Sequence, residues 1–329
     1  MAEPLLHPRV RIDLPLDEVS PARMGAEIAA ALAERPRRIP SKYFYDDRGS
    51  ELFERITELP EYYPTRAEAS LLAAVADEVV ALTGARALVE LGSGAATKTL
   101  LLLDAMERAG GVELYVPVDV SESTLRRVAG ELVERYPRLA VHGVVGDFLA
   151  HLETIPDQRA DRLVIFLGGT IGNLAPPAAR AFVAELAGQM SPGEPFLLGV
   201  DLIKDPARLL AAYDDAAGVT AAFNRNALAV ANRILDADFD PSRFRHHAPW
   251  NAGEHRIEMW LVAEEAMVVE LAAVGRRLEL AAGEPILTEI STKYDEALTR
   301  DLLEDSGFRL ERWFTAGEGL FGLALARRR

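Results

Sequence analysis

Residues 87–98 read ALVELGSGAATK, and their reading decides the fold. The apolar run Ala87-Leu88-Val89 ends in an acid, Glu90, and breaks at once into Gly92-Ser93-Gly94. An uninterrupted apolar strand is one buried on both faces, as in a parallel sheet, and the glycines let its backbone turn closely around a ligand. A second such run, ELYVPVD (113–119), ends in Asp119 a little over 25 residues after the first glycine. A nucleoside laid across both strand ends would meet peptide N–H groups at the glycines and a ribose-binding carboxylate at Asp119. The reading is an adenosine-containing cofactor. A tight turn without a ligand is the plain alternative for this motif alone.

The choice of cofactor follows from the residues around the turn. A dinucleotide fingerprint asks for a third glycine, and Thr97 stands there. Glu90 beside a pyrophosphate would place like charges together. S-adenosylmethionine has no phosphate and carries a sulfonium and an ammonium, so acids at strand ends suit it better than they suit NAD.

Composition narrows the class. With 329 residues, 49% of them hydrophobic, the chain can build a large core in one or two domains. A net charge of −15 argues against nucleic acid or an anionic membrane as partner. The Arg327–Arg329 tail reads as a solvated run. Cysteine is absent, which excludes disulfides, thiolate metal sites and a cysteine nucleophile. The opening MAEPLLHPRVRID lacks the apolar centre of a signal peptide, and no run approaches a membrane span. A soluble, monomeric, cytoplasmic enzyme is the expectation.

Beyond the glycine turn, the spacing predicts helices at 97–110, 123–137 and 175–190, and strands at 140–145, 162–169 and 195–202. Alternation of apolar strands with helices implies an α/β, doubly covered parallel sheet, with ligands beyond its carboxyl ends. Those ends carry Glu90, Asp119, Asp147 and the segment Gly168–Asn173. Residues 204–260 break the alternation; 307–315 and 320–326, joined by a turn at Ala316–Gly319, read as an antiparallel hairpin on the sheet edge. The division expected is a nucleotide-binding core at 68–203 and 293–329, and a smaller α+β substrate domain from 1–67 and 204–292. The cleft between them would take a small molecule.

Longer blocks carry a more specific signal. KYFYDDRGSELFERITELPEYYPTRAEA (42–69), ELGSGAATKT (90–99), FLGGTIGNL (166–174), AYDDAAGVTAAFNRN (212–226), RIEMWL (256–261) and LTEIS (287–291) together resemble the L-histidine Nα-methyltransferases of ergothioneine biosynthesis. The resemblance covers nearly the whole chain, with about the first twenty residues the least matched. It implies a class I methyltransferase core with a Rossmann-like sheet, a separate substrate domain, and transfer of three methyl groups from S-adenosylmethionine to the α-amine of histidine, giving hercynine. It further implies Gly92 and Lys98 at the methionine end of the cofactor, Asp119 at the ribose, and Asp147 with Phe148 at the adenine. Asn173, Tyr213 and Tyr63 would meet the carboxylate and amine of histidine and of its mono- and dimethylated forms. Glu289 and Ser291 would read the imidazole, with Met259 as an apolar wall. Gly169 and Thr292 depart from the family pattern, where Ser and Cys are usual; neither is a proposed contact.

Each of these residues also has an ordinary structural reading. Glu289, in ILTEIST, is by alternation a solvated strand carboxylate; yet Ser291 shares its face, and the pair could accept and donate to one imidazole. Such a pair rejects apolar analogues, which would leave both groups unpaired. Asn173 is otherwise a turn asparagine, Tyr213 a packing residue, Asp147 a helix cap and Lys98 a surface lysine. Tyr43 and Tyr45 read as hydrophobic anchors. His246-His247 and HRIE (255–258) lack metal-ligand spacing and read as surface residues, so no metal is expected. Methyl transfer to an amine asks chiefly for positioning, so no dedicated strong base is expected, and tyrosine faces could tolerate the growing cation. The competing readings are a methyltransferase for another amine, an NAD-dependent oxidoreductase and a nucleotide-sensing protein.

Overall fold

The computed structural model describes residues 7–14, 21–94, 96–149, 152, 161–315 and 317–329. Ala316 of the expected hairpin turn, and the first six residues of the N-terminal stretch, lie outside them.

The chain begins with strand β1 (Val10–Asp13), helix α1 (Pro21–Ala33) and the short strand β2 (Arg37–Arg38). A 3-10 turn at Ser41–Phe44 leads to α2 (Asp47–Glu58) and α3 (Pro64–Thr83). Asp46 starts α2 by accepting the Gly49 N–H at 2.7 Å, and Pro64 opens α3, where its missing N–H costs nothing. The alternating core follows: β3 (Ala87–Leu91), α4 (Thr99–Arg108), β4 (Leu114–Asp119), α5 (Glu122–Arg135), β5 (Ala140–Val145), β6 (Arg162–Phe166), a 3-10 turn at Thr170–Asn173, α6 (Pro176–Gly188) and β7 (Pro195–Asp201).

Next come α7 (Pro206–Tyr213), α8 (Val219–Leu235), β8 (Phe244–His247), β9 (Trp250–Asn251), β10 (Arg256–Ala263), β11 (Met267–Leu271), β12 (Arg276–Leu280) and β13 (Pro285–Thr292). The chain then returns through α9 (Glu296–Asp305), β14 (Phe308–Thr315) and β15 (Phe321–Arg328).

Eight strands form one sheet in the order β1-β5-β4-β3-β6-β7-β15-β14. All pairs from β1 to β7 are parallel, and the β14–β15 hairpin joins antiparallel against β7. This is the α/β class expected from the sequence. Every residue of β3, β6 and β7 is buried, because helices cover both faces. Neighbours diverge in chain order at β3, which lies between β4 and β6, so the crevice for a ligand opens beyond Leu91.

A second sheet, β2-β13-β10-β8 with β9 beside β10, packs on α1, α2 and α8 around its own core. Phe44 and Phe223 meet there at 4.6 Å between ring centres. The expected division placed all of 1–67 with this smaller unit. In the structure β1 instead pairs with β5 at the edge of the large sheet. Four residues are too few to show a period, and only the pairing reveals where they belong.

Candidate active site

Beyond β3 the chain turns through Gly92 and Gly94, whose φ angles of 72° and 48° lie in the left-handed region. The ring of Phe148 sits over Gly92, 3.3 Å from where a Cβ would stand, and packs edge-on against Phe166. Asp119, at the end of β4, accepts the Gly94 N–H at 2.8 Å and the Ser121 N–H at 3.0 Å. The loop N–H expected to greet the cofactor is thus already given to Asp119. Burial raises the Asp119 carboxyl above its usual range despite these bonds. Glu90 is buried, and takes the hydroxyls of Thr99 (2.6 Å) and Tyr115; desolvation pushes it up to about 7.

This donor set answers the question of the cofactor. A pyrophosphate would need free loop N–H groups, and here the Gly94 N–H is already taken by Asp119, whose carboxylate would repel the phosphates. A nucleoside with a cationic tail meets no such conflict, so the residues fit S-adenosylmethionine. Lys98 does not point to solvent: it pairs with the fully buried carboxylate of Glu68 on α3. Glu68 also accepts the Gly168 N–H at 2.7 Å, tying the β3 turn to the β6 turn. Asp147 accepts the Leu149 N–H at 2.9 Å, as a cap would, and pairs with Lys42 at 3.0 Å. Lys42 belongs to the 3-10 turn beside the second sheet, so this ion pair joins the two units.

The substrate candidates gather where β13 meets the β6 turn. The Thr170–Asn173 turn lies backbone to backbone against Thr292, close enough that a Cβ on Gly172 would stand 2.5 Å from the Thr292 carbonyl oxygen. The half-buried Asn173 amide takes no hydrogen bond among the described residues. Ser291 Oγ lies 2.7 Å from the Tyr213 hydroxyl. Met259, on β10, is the cross-strand partner of Glu289 at a bulge in the ladder. Glu289 likewise takes no hydrogen bond among the described residues, and desolvation pushes it up to about 7 against the pull of the Lys293 charge.

Behind these residues lies a charged network that the sequence reading missed. Tyr63 donates its hydroxyl proton to the Asp201 carboxylate at 2.8 Å, and accepts from Lys204 at 2.7 Å. Burial and the Asp201 charge together push the Tyr63 hydroxyl pKa far up. Burial alone would raise Asp201 as well, yet Lys293 and Lys204 hold it below the usual carboxylate range. Desolvation lowers Lys204 to about 8. Lys204 and Lys293 lie over the rings of Tyr63 and Tyr213, at 4.4 Å and 4.5 Å. One face of each tyrosine expected to tolerate a substrate cation therefore already carries a lysine. Asp201 had a signal in the sequence, since β7, like β3 and β4, is an apolar run ending in an acid.

The other assignments divide. Tyr43 is buried and donates to Glu27 at 2.8 Å, as an anchor. His246 is not a surface residue: it is buried, with Nδ1 2.8 Å from the Asn224 amide nitrogen and Nε2 2.9 Å from the Tyr213 carbonyl oxygen. Desolvation keeps its pKa below the ordinary value, so it braces α7 as a neutral ring. Among the described residues no group of three His, Asp or Glu is arranged to hold a metal. Nor, among them, is any helix long and apolar enough to cross a membrane.

Comparison with known proteins gives this arrangement relatives. A family model described as histidine-specific methyltransferase, SAM-dependent, matches residues 24–328. A histidine N-alpha-methyltransferase of Mycolicibacterium smegmatis is 49% identical over 300 residues, 91% of this chain and 93% of the relative. One from Mycobacterium tuberculosis is 48% identical over the same shares. A 4-dimethylallyltryptophan N-methyltransferase of Aspergillus fumigatus is 28% identical over 88% of this chain and 89% of its own.

Proposed function

The chain belongs to the histidine-specific, S-adenosylmethionine-dependent methyltransferases, and we propose that it trimethylates the α-amine of L-histidine to hercynine, the first step of ergothioneine biosynthesis. The proposal extends to a monomeric, cytoplasmic enzyme whose charge of −15 disfavours nucleic acid and anionic membranes. S-adenosylmethionine, when bound, supplies the methyl group from its sulfonium. Asp119 would hold the ribose, Phe148 and Asp147 the adenine, and Gly92 with Lys98 the methionine end.

The observation that carries the substrate assignment is the oriented pair of Tyr213, at the end of α7, and Ser291, 2.7 Å apart. Ser291 lies on β13, the strand that also presents Glu289, which takes no hydrogen bond among the described residues. A neutral imidazole has one N–H to give and one nitrogen to receive. Glu289 takes the first and a hydroxyl of the pair supplies the second, with Met259 against the ring. The 2.7 Å contact with Ser291 thus moves Tyr213 from the carboxylate and amine, where the resemblance put it, to the imidazole end. The Asn173 amide, donor and acceptor at once, suits a carboxylate beside an amine. Because the anchored groups are unchanged by methylation, one site can serve all three transfers. Attack requires the free amine, and the residues contribute chiefly by holding it in line. With β1 assigned to the large sheet, the substrate would lie between the second sheet and the core.

Mass spectrometry of purified protein incubated with S-adenosylmethionine and each of several amino acids tests the proposal. Trimethylated histidine as the sole product is expected. Methylation of another amino acid instead would discard the roles given to Glu289 and Ser291 while keeping the cofactor site.

A further inference from the structure

Lys293 is completely buried, and an ammonium at that depth needs every proton matched. It has three protons and finds three acceptors from three elements. Its Nζ lies 2.6 Å from Ser291 Oγ, 2.8 Å from the Tyr213 hydroxyl at the end of α7, and 2.8 Å from Asp201 Oδ2 at the end of β7. Lys293 follows β13 directly, so Glu289, Ser291 and Lys293 stand at alternate positions along one face.

The hydrogen-bond count around the pair has a consequence. Tyr213 and Ser291 own two hydroxyl protons, and one of them lies between the two oxygens. Lys293 donates to both oxygens. Whichever hydroxyl accepts from its neighbour then has both lone pairs filled and its own proton left over. The pair can therefore offer a single O–H donor and is a poor acceptor, beside a carboxylate that can only accept when ionised. One donor and one acceptor match a neutral imidazole, not an imidazolium with two N–H groups.

We propose that Lys293 is a positioning residue for the imidazole end of the substrate, holding the Tyr213 and Ser291 hydroxyls as one oriented donor beside Glu289. The proposal rests on the reading of those residues as substrate contacts. It has an electrostatic side as well. Among the described residues Glu289 is faced by the Lys293 charge and by the tyrosines Tyr45, Tyr62 and Tyr213, and of these the lysine alone favours its ionised form.

The test is steady-state methylation of L-histidine by the full-length Lys293→Met protein between pH 5.5 and 8.5, beside wild type. The KM for histidine should rise at least about tenfold, the loss expected for a charged hydrogen bond, with kcat changed less than about threefold. The acid limb of kcat/KM should move to higher pH, since Glu289 loses its neighbouring cation. Thermal stabilisation by S-adenosylhomocysteine should persist, because Asp201 keeps Lys204 and Tyr63 as partners. Lys293→Gln, which retains an N–H donor, should fall between the two in KM. An unchanged KM and acid limb would overturn the proposal while leaving the substrate reading intact. Loss of the S-adenosylhomocysteine response in both variants would make Lys293 a structural residue and overturn it too. A wild-type protein that leaves histidine unmethylated would remove the substrate reading itself, and the role of Lys293 with it.

Discussion

Lys293 and Asp201 come from different sheets and meet at 2.8 Å, with Lys204 on the other oxygen of the same carboxylate. Two buried cations thus depend on one anion. Replacing Asp201 with Asn keeps the shape and removes the charge, leaving both lysines uncompensated. Removing one partner of a buried pair costs about 3–5 kcal/mol, and a loss of that order is expected in urea unfolding. A loss under about 1 kcal/mol would mean that the lysines shed their protons or reach water instead.

Gly199→Ala tests a second buried carboxylate, Glu68. A Cβ there would stand 2.3 Å from Glu68 Oε1 and 3.3 Å from the Leu167 backbone. Glu68 cannot swing away without releasing the Gly168 N–H and Lys98. We expect a destabilisation of about 1–3 kcal/mol, as for overpacking elsewhere, together with a raised KM for S-adenosylmethionine. An unaltered melting temperature would show that Glu68 has room the geometry denies it.

Asp119→Ala should abolish most of the melting-temperature increase given by S-adenosylhomocysteine, with at least about a tenfold loss of affinity, because ligand stabilisation follows occupancy. The variant also frees the Gly94 N–H that Asp119 now holds at 2.8 Å. Unchanged affinity by calorimetry would remove the ribose assignment.

What could be read from the sequence was local. The β3 turn, Asp119 and the alternation through β7 follow from short-range pattern, because a buried strand must be continuously apolar and its turn must bend. Glu68 and Lys293 carry no such pattern. Their partners lie 100 residues away at Gly168 and 80 away at Tyr213, and only folding brings them together. Strand β8, whose FRHH alternates buried and exposed, shows why His246 was misjudged: next to His247, one of the two had to face inward. The residues that would touch ligand were named through a family resemblance. The charges behind them came into view only where the chain just past β7 meets the chain just past β13, at the Leu202–Tyr294 bridge.

Glu90→Gln should reveal a carboxyl that the fold holds protonated over part of the neutral range. Burial raises Glu90 to about 7, whereas an unfolded glutamate titrates near 4.3. Between those values the folded state binds the extra proton, so wild-type stability falls as pH rises through this window and levels off above it. Glutamine does not titrate, and its oxygen can still accept from Thr99 and Tyr115. The melting temperature of the variant relative to wild type should therefore climb from pH 5 to about pH 7.5 and then stay level. A difference constant across that range would place the Glu90 pKa at its ordinary value.

Glu289→Gln separates the enzyme's ionisation from the substrate's. Desolvation pushes Glu289 up to about 7, so in wild type the strong, ionised acceptor exists only above that pH. The imidazole of histidine titrates near 6.5, so the acid limb of kcat/KM should carry both groups. Glutamine keeps an oxygen acceptor and loses the charge. At pH 8 the variant should lose about ten- to a hundredfold in kcat/KM, the range for a charge-assisted hydrogen bond. At pH 6 wild-type Glu289 is itself protonated, and the deficit should shrink to a few-fold. The remaining limb of the variant should then follow the substrate imidazole alone. A ratio of wild type to variant that stays constant from pH 6 to pH 8 would show that Glu289 does not titrate in contact with the ring.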